Sequence, residues 1–299
     1  MSDGTVAVGR SRPRVGLVGN PSDLYAGAVL AFSFDAFETA VTIEPDDAWV
    51  LPHDGHDLVA ATIARFAAHT RKAIETGRVT VETTVPRQSG LAGSSAIVIA
   101  CLRALAVRAG TVLSPFELAA MALAVEAHDL GIVAGAQDRV AQAYDDLVLV
   151  DLAVGLREAS VSTIDRSLLP RLVIAWSLEP GLASGDVHGP VRARWEDGDA
   201  AVITAAAEWR ALALRAATAV ERGDRAALGE AIDRTFDLRA GIFPIAAADD
   251  TMVALARAHG AAANQCGSGG SVVALPSEER SADELRSRFE AGGFGALAL

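Results

Sequence analysis

The segment Gly90-Leu-Ala-Gly-Ser-Ser95 opens directly into an apolar helical run over residues 96–109. A helix start presents free N–H groups and a partial positive charge, and glycine lets that backbone come close to phosphate oxygens. The loop is therefore either an anion cradle or a tight strand-to-helix turn with Ser94 as its cap. It is not a Walker loop, because no Gly-Lys-Ser or Gly-Lys-Thr occurs and Lys72 is the only lysine. A second loop, Gly267-Ser268-Gly269-Gly270, leads into a strand at 271–275. It has the same two readings, packing against nucleotide phosphates or a plain turn.

Two carboxylates accompany these loops. Glu126 follows an almost wholly apolar stretch at 118–125, so its side chain should lie in or near the core. A buried carboxylate needs a partner; a metal ion is one option, an Arg or escape to solvent the others. Asp138 lies beyond Gly135 with Arg139 beside it. It could orient a hydroxyl for phosphoryl transfer, or be an ordinary helix-surface residue. The six histidines form no metal-spaced cluster, and His53-Asp-Gly-His-Asp57 reads as a solvated polar turn. Cys101 and Cys266 have no partner at zinc-ligand spacing and suit a reducing cytoplasm.

The elements that must hold these groups are readable in outline. Residues 14–19 read as a buried strand ending in the turn Asn20-Pro-Ser-Asp23, and 29–44 as paired strands. Helical spacing covers 58–77, and alternation marks a strand at 79–85. Ser114-Pro115-Phe-Glu117 predicts a helix start with a capping box, the helix running to about His128. Residues 131–135 break it, a helical piece carries Gln137 and Asp138, and 147–152 and 172–177 are strands. Two or three helices fill 187–239, and one more covers 250–259. The seam between two α+β halves is expected near 160–170, giving domains 1–165 and 166–299.

Bulk properties narrow the function. The chain of 299 residues is 51% hydrophobic and 21% charged, with a net charge of −12. That balance argues against a general nucleic-acid binder, which needs a basic surface. No run of about 18 uncharged apolar residues is present, so no membrane span is expected. The first 13 residues lack a signal-peptide apolar stretch. A cytoplasmic protein is expected, and the sequence places no constraint on oligomeric state.

Three ordered motifs resemble those of the GHMP kinases, the superfamily of galactokinases, homoserine kinases and mevalonate kinases. They are residues 14–23, Pro86-Arg-Gln-Ser-Gly-Leu-Ala-Gly-Ser-Ser-Ala96 and Ala263-Asn-Gln-Cys-Gly-Ser-Gly-Gly270. A more extensive resemblance is to glucuronokinases. It includes Gly19-Asn-Pro-Ser-Asp23, Leu130-Gly-Ile-Val-Ala-Gly-Ala-Gln-Asp-Arg-Val-Ala-Gln-Ala-Tyr144 and Phe236-Asp-Leu-Arg239.

The resemblance implies an α+β, two-domain GHMP-kinase fold, with a ribosomal-protein-S5-domain-2-like N-terminal domain and a ferredoxin-like C-terminal domain. It implies ATP and Mg²⁺ as cofactors. Asp138 takes the place of the catalytic carboxylate and Arg14 that of the cation near the transferred phosphate. Gly90, Leu91, Ala92, Gly93, Ser94 and Ser95, with Gly267, Ser268 and Gly269, would hold the nucleotide. Ser95 and Glu126 would be the Mg²⁺ ligands. Asn20 and Asp23 would meet sugar hydroxyls, and Arg87, Arg139 or Arg239 the carboxylate of a uronic acid. The bland role for each Arg is a structural ion pair, for example with Asp138 or Asp237.

The implied reaction is ATP-dependent phosphorylation of the anomeric hydroxyl of a uronic acid, glucuronate foremost. The alternatives are a kinase for another small alcohol, such as a mevalonate-like acid, and an inactive relative that senses ATP and sugar. Retention of Ser95, Glu126 and Asp138 argues against the inactive relative. Four departures bear on the substrate: Cys266 where Thr is usual, Asn264 where glucuronokinases tend to have Lys, Gly185-Asp186-Val187 in place of a Gly-Lys-Val pattern, and Phe243-Pro-Ile245 in place of an acidic stretch.

Overall fold

The computed structural model describes residues 5–181 and 184–299. The chain falls into two compact units: Met1–Arg14, Ser33–Val85 and Ala92–Asp145 form one, and Val15–Phe32, Pro86–Leu91 and Asp146–Leu299 the other.

The first unit is built on an antiparallel sheet of β1 (Ala7–Ser11), β4 (Thr39–Pro45) and β5 (Gly77–Thr83), in the order β1-β4-β5. Its inward positions Ala7, Val41, Ile43 and Val79 are buried, as a one-sided strand pattern requires. Helix α2 (Gly93–Arg108) packs on this sheet. Gly9 permits the approach, since a Cβ there would stand 2.0 Å from the Ala100 carbonyl oxygen and 2.4 Å from the Ala104 nitrogen. Ala96, Val98, Ile99, Cys101 and Leu105 of α2 are fully buried. Beside it pack α1 (His56–Thr70), α3 (Pro115–Ala124) and α4 (Gln137–Tyr144).

Several expectations are corrected here. The helix expected across 58–77 stops at Thr70, where Arg71 turns left-handed (φ 53°) and its N–H closes on the Ala67 carbonyl. Strand β1, whose burial alternates, lies in a segment to which the sequence assigned no element. Strands do form within 29–44, but they pair in different sheets. β4 pairs with β1 and β5, whereas β3 (Ala28–Ser33) pairs with β6 (Leu147–Asp151). Local hydrophobic pattern marks a strand without naming its neighbour.

The capping box forms as expected. Ser114 Oγ accepts the Glu117 N–H at 3.2 Å, and Glu117 Oε2 accepts the Ser114 N–H at 2.7 Å. Beyond α3 the helix widens into a π turn, Val125–Asp129, that carries Glu126. Such single wide turns recur at functional positions because they re-aim a side chain without ending the helix.

In the second unit a sheet of order β2-β3-β6-β7 is formed by β2 (Arg14–Val18), β3, β6 and β7 (Val161–Ile164). A separate antiparallel sheet has the order β11-β8-β10-β9, from β8 (Val173–Trp176), β9 (Ala262–Gln265), β10 (Ser271–Leu275) and β11 (Gly295–Ala298). The helices are α5 (Ser184–Glu196), α6 (Ala200–Glu221), α7 (Arg225–Ile242), α8 (Ala247–Ala258) and α9 (Ala282–Ala291). Val173, Val272 and Ala274 meet Phe236, Met252, Val253, Leu285 and Phe289 in one apolar core. Trp209 of α6 is fully buried and donates its indole N–H to the Thr235 carbonyl of α7 at 3.1 Å. Helices and antiparallel sheets in two units meet the α+β expectation. Among the described residues no helix is long and apolar enough to cross a membrane.

Candidate active site

Four ionised side chains of the first unit form a continuous chain. Arg14, at the first position of β2, is 2% exposed and places Nε and Nη2 each 2.6 Å from Asp138 Oδ1. Asp138 sits in the first turn of α4. Its other oxygen lies 3.5 Å from Nη1 of Arg139. Arg139 is buried and donates from Nε and Nη2 to Glu126 Oε2, at 2.7 and 2.5 Å. The far oxygen of Glu126, Oε1, accepts the Ser94 hydroxyl at 2.9 Å. The signs alternate, so the buried Arg14, Arg139 and Glu126 and the half-buried Asp138 carry no net charge together. That is the arrangement in which buried charges are tolerated.

Glu126 is fully buried, as expected. Its charged partner is Arg139, an Arg being one of the options the sequence left open. Arg139 thus has a structural ion pair, chiefly with Glu126 and only secondarily with Asp138. The hydroxyl that reaches Glu126 is that of Ser94; Ser95 is buried and turns its hydroxyl to the Ala92 carbonyl at 3.2 Å. Ser94 is therefore no N-cap. Helix α2 begins after Ala92, itself left-handed at φ 66°, and no side chain caps it. The Ala92 carbonyl is held by the Gln142 amide at 2.9 Å.

The remaining candidates belong to the second unit. Gly90 adopts φ 69°, and a Cβ on it would lie 2.5 Å from the carbonyl oxygens of both Cys266 and Gly269. The two glycine segments are thus in backbone contact, which only glycine allows. Leu91, Gly267 and Gly269 are buried and Ser268 is half-buried. The Gly270 N–H is accepted by both carboxylate oxygens of Asp249, at 2.9 and 3.2 Å.

Asn20 is fully buried, with both ends of its amide engaged. Its Nδ2 donates to the Gln265 carbonyl and its Oδ1 accepts from Asn264, each at 3.0 Å. Asn264 also donates to the Leu17 carbonyl at 3.1 Å, so here it joins β9 to the end of β2. Asp23 is 7% exposed in the short helical turn Ser22–Tyr25. Arg87 is exposed, whereas Arg239 on α7 is fully buried with its guanidinium 5.1 Å above the Phe243 ring.

Two buried groups of this unit escaped the sequence reading. Burial pushes the Tyr25 phenol up to about 12, with the Arg239 charge opposing it. Burial likewise pushes the Asp249 carboxyl up to about 6, against the Gly270 N–H bond and Arg239. A signal for Asp249 was present: it shares the 3.6-residue phase of Met252, Val253 and Ala256, the buried face of α8.

Comparison with known proteins places the chain in a family. A family model described as GHMP kinases N terminal domain matches residues 57–146, and one described as GHMP kinases C terminal matches 216–293. The chain is 34% identical to Glucuronokinase 1 of Arabidopsis thaliana, over 88% of this chain and 83% of that protein. It is 35% identical to Probable glucuronokinase 2 of the same plant, over 88% of this chain and 82% of that one. Among solved structures, Streptococcus pneumoniae phosphomevalonate kinase superposes with a TM-score of 0.79 at 17% identity, covering 98% of each chain. Lactococcus lactis galactokinase, solved with galactose, gives 0.79 at 16% identity, covering 98% of this chain and 92% of its own. At such identities the structural likeness speaks for the fold.

Proposed function

The chain belongs to the GHMP kinase family, an ATP-using family of small-molecule kinases, and we propose that it is a glucuronokinase that transfers the γ-phosphoryl group of ATP to the anomeric hydroxyl of glucuronate. The observation that carries the reading is the connected chain Arg14–Asp138–Arg139–Glu126–Ser94, buried at Arg14, Arg139 and Glu126 and open to solvent at Ser94. In the transfer, the acceptor hydroxyl oxygen bonds to the γ-phosphorus, the bond from phosphorus to the β–γ bridging oxygen breaks, and the hydroxyl proton leaves late. Asp138 is the group that orients that hydroxyl and receives its proton. Arg14 fixes the carboxylate and brings a permanent cation to the transferred phosphate.

Residues 90–95 and 267–269 hold the nucleotide phosphates in this reading. The uncapped start of α2 and the φ > 0 positions at Gly90 and Ala92 support that role. A Mg²⁺ ion is the second cofactor, held by Glu126 with the hydroxyl of Ser95 or its neighbour Ser94. The donors fit a hard cation: all are oxygens, and Mg²⁺ takes few protein ligands when phosphates complete its shell. Bound there, it would neutralise charge on the phosphates. Asp23 and Asn20 are assigned to the sugar hydroxyls.

The uronate carboxylate calls for a guanidinium fork. Arg87, Arg139 and Arg239 are the candidates, Arg87 first because it is exposed, and Arg139 last because it is buried against Glu126. The two buried cysteines, Cys101 and Cys266, form no disulfide, which supports a cytoplasmic setting. ATP turnover with glucuronate, galacturonate and glucose as acceptors tests the assignment, followed by Arg87→Ala and Arg239→Ala. Glucuronate should be preferred, and loss of a carboxylate contact should raise its KM without changing KM for ATP. Equal turnover of glucose, or none of any uronate, would overturn the substrate while leaving the kinase in place.

A further inference from the structure

Asp249 is a buried carboxylate, 1% exposed, on the core-facing side of α8. Both of its oxygens accept one N–H, that of Gly270. The segment it holds is short and made of glycines in conformations with φ > 0: Gly267 at 50°, Gly269 at 113° and Gly270 at 90°. Such backbone keeps one shape only if its groups are tied down. The other ties are main-chain bonds: Gly269 N–H to Cys266 O at 3.0 Å, Cys266 N–H to Ser271 O at 2.8 Å, and Ser177 N–H to Gly270 O at 2.9 Å. Asp249 adds a charged acceptor at the point where the segment meets β10.

The shape so fixed is a seat for a second loop. Gly90 rests on the carbonyls of Cys266 and Gly269, and the Gly270 Cα faces the Gln88 carbonyl, which a Cβ would approach to 2.8 Å. The same Gln88 carbonyl accepts the Gly181 N–H at 3.1 Å. Gly269 is hemmed in by Asp249 itself, since a Cβ would stand 2.6 Å from its Oδ2 and 2.4 Å from Gln265 Nε2.

We infer that Asp249 is a positioning residue for nucleotide binding: by holding the Gly270 N–H it fixes the carbonyl seat of Gly90, and through that seat the start of the phosphate loop. The inference rests on the reading that residues 90–95 hold the ATP phosphates. The bond is charge-assisted, and such bonds are roughly twice as strong as neutral ones. Burial raises this carboxyl to about 6, opposed by the Gly270 N–H and by Arg239 facing it from α7. Gln265, its polar neighbour from β9, does not titrate. Acidification below pH 6 therefore turns the brace into a neutral hydrogen bond.

The test is direct titration of the whole protein with MgATP, no acceptor present, for wild type and Asp249→Asn between pH 5 and 8. At pH 7.5 the variant should bind MgATP about 3- to 10-fold more weakly, the scale of a charged bond made neutral. The gap should close towards pH 5, where wild type also loses the charge; the ionisation of ATP is common to both proteins and cancels in the ratio. Turnover at saturating ATP should change less than affinity. Equal affinity at every pH, or a ratio that does not move with pH, overturns the inference. A wild-type measurement covers the case in which the variant does not fold. Hydrogen exchange of the 266–271 segment, corrected for its intrinsic pH dependence, should rise from pH 7 to 5 while the rest of β10 stays protected; constant protection would also overturn it. Because no acceptor enters either assay, failure of the glucuronate assignment leaves this result intact.

Discussion

Arg14 brings Nε and Nη2 of one guanidinium to the same oxygen of Asp138, Oδ1, each at 2.6 Å. The carboxylate is thereby fixed in rotation about its own axis, with Oδ2 turned toward Arg139 at 3.5 Å. An orienting group for a hydroxyl needs that fixity, because misplacement by about 1 Å costs on the order of 100-fold in rate.

Asp138→Asn keeps the shape but replaces the charge and the proton acceptor with an amide. Turnover should fall by about 100-fold or more, the scale of general-base loss, while MgATP affinity stays near that of wild type. Steady-state kinetics beside a binding titration checks both. Turnover within a few-fold of wild type would remove Asp138 from the chemistry.

The pair Glu126–Arg139 should be strongly coupled in stability. Arg139→Met alone leaves the Glu126 carboxylate buried beside Ser94 without its counter-charge, and breaking a buried pair from one side costs about 3–5 kcal/mol. Glu126→Gln with Arg139→Met removes both charges and should recover much of that loss in urea unfolding. Activity should remain lost in the double variant, because the carboxylate proposed for the metal is gone. Simple additivity of the two single effects would mean that the pair is not energetically linked.

How far the sequence foretold this depends on the range of each interaction. The capping box at Ser114 and Glu117 was legible because its two bonds span three residues. Glu126 was legible as a buried carboxylate because the apolar run before it is local. Its bond to Arg139, 13 residues away, depends on the π turn and the bend after it, and residue spacing does not encode either. The strands β3 and β4 were legible as strands, yet their partners are set by tertiary packing. Strand β9, Ala262–Gln265, was missed because Ala, Asn and Gln have low strand propensity. Among the site residues, the glycine segments and Asp138 could be picked out by residue type, whereas the roles of Asn20 and Arg139 as buried connectors required the fold.

Two glycines with similar backbone angles should respond differently to the same substitution. Gly90 (φ 69°) and Gly110 (φ 54°) both lie in the left-handed region. A methyl group at Gly110 meets nothing within 4 Å, whereas at Gly90 it meets two backbone carbonyl oxygens at 2.5 Å. Gly110→Ala should cost only about 1 kcal/mol of backbone strain and leave KM for ATP unchanged. Gly90→Ala must move one of two main chains, so it should cost more stability and raise KM for ATP. Equal effects of the two substitutions would show that the seat of Gly90 does not matter for the nucleotide.

Asp249 should give stability a pH dependence of unusual sign for a carboxylate. A paired surface Asp has a depressed pKa and stabilises the fold above it. Asp249 is raised, from 3.8 to about 6, chiefly by burial, so the native state holds its proton more tightly than the unfolded chain does. Its contribution is then fully present below pH 3.8 and is lost as pH rises through 6. At neutral pH the native state carries an ionised carboxylate in a desolvated place, offset by the Gly270 N–H bond and the nearby Arg239 charge. Asn at this position keeps an acceptor for Gly270 and has no charge to bury. The stability of Asp249→Asn relative to wild type should therefore rise between pH 4 and 6 and level off near pH 7. Urea midpoints for both proteins at pH 4, 5, 6 and 7 measure this difference and cancel every other titrating group. A difference that is flat across the range, or that falls with rising pH, would show that Asp249 is not held above its ordinary value. Combined with weaker MgATP binding by the same variant, a gain in stability at neutral pH would mean that the charge at Asp249 serves the nucleotide loop at the expense of the fold.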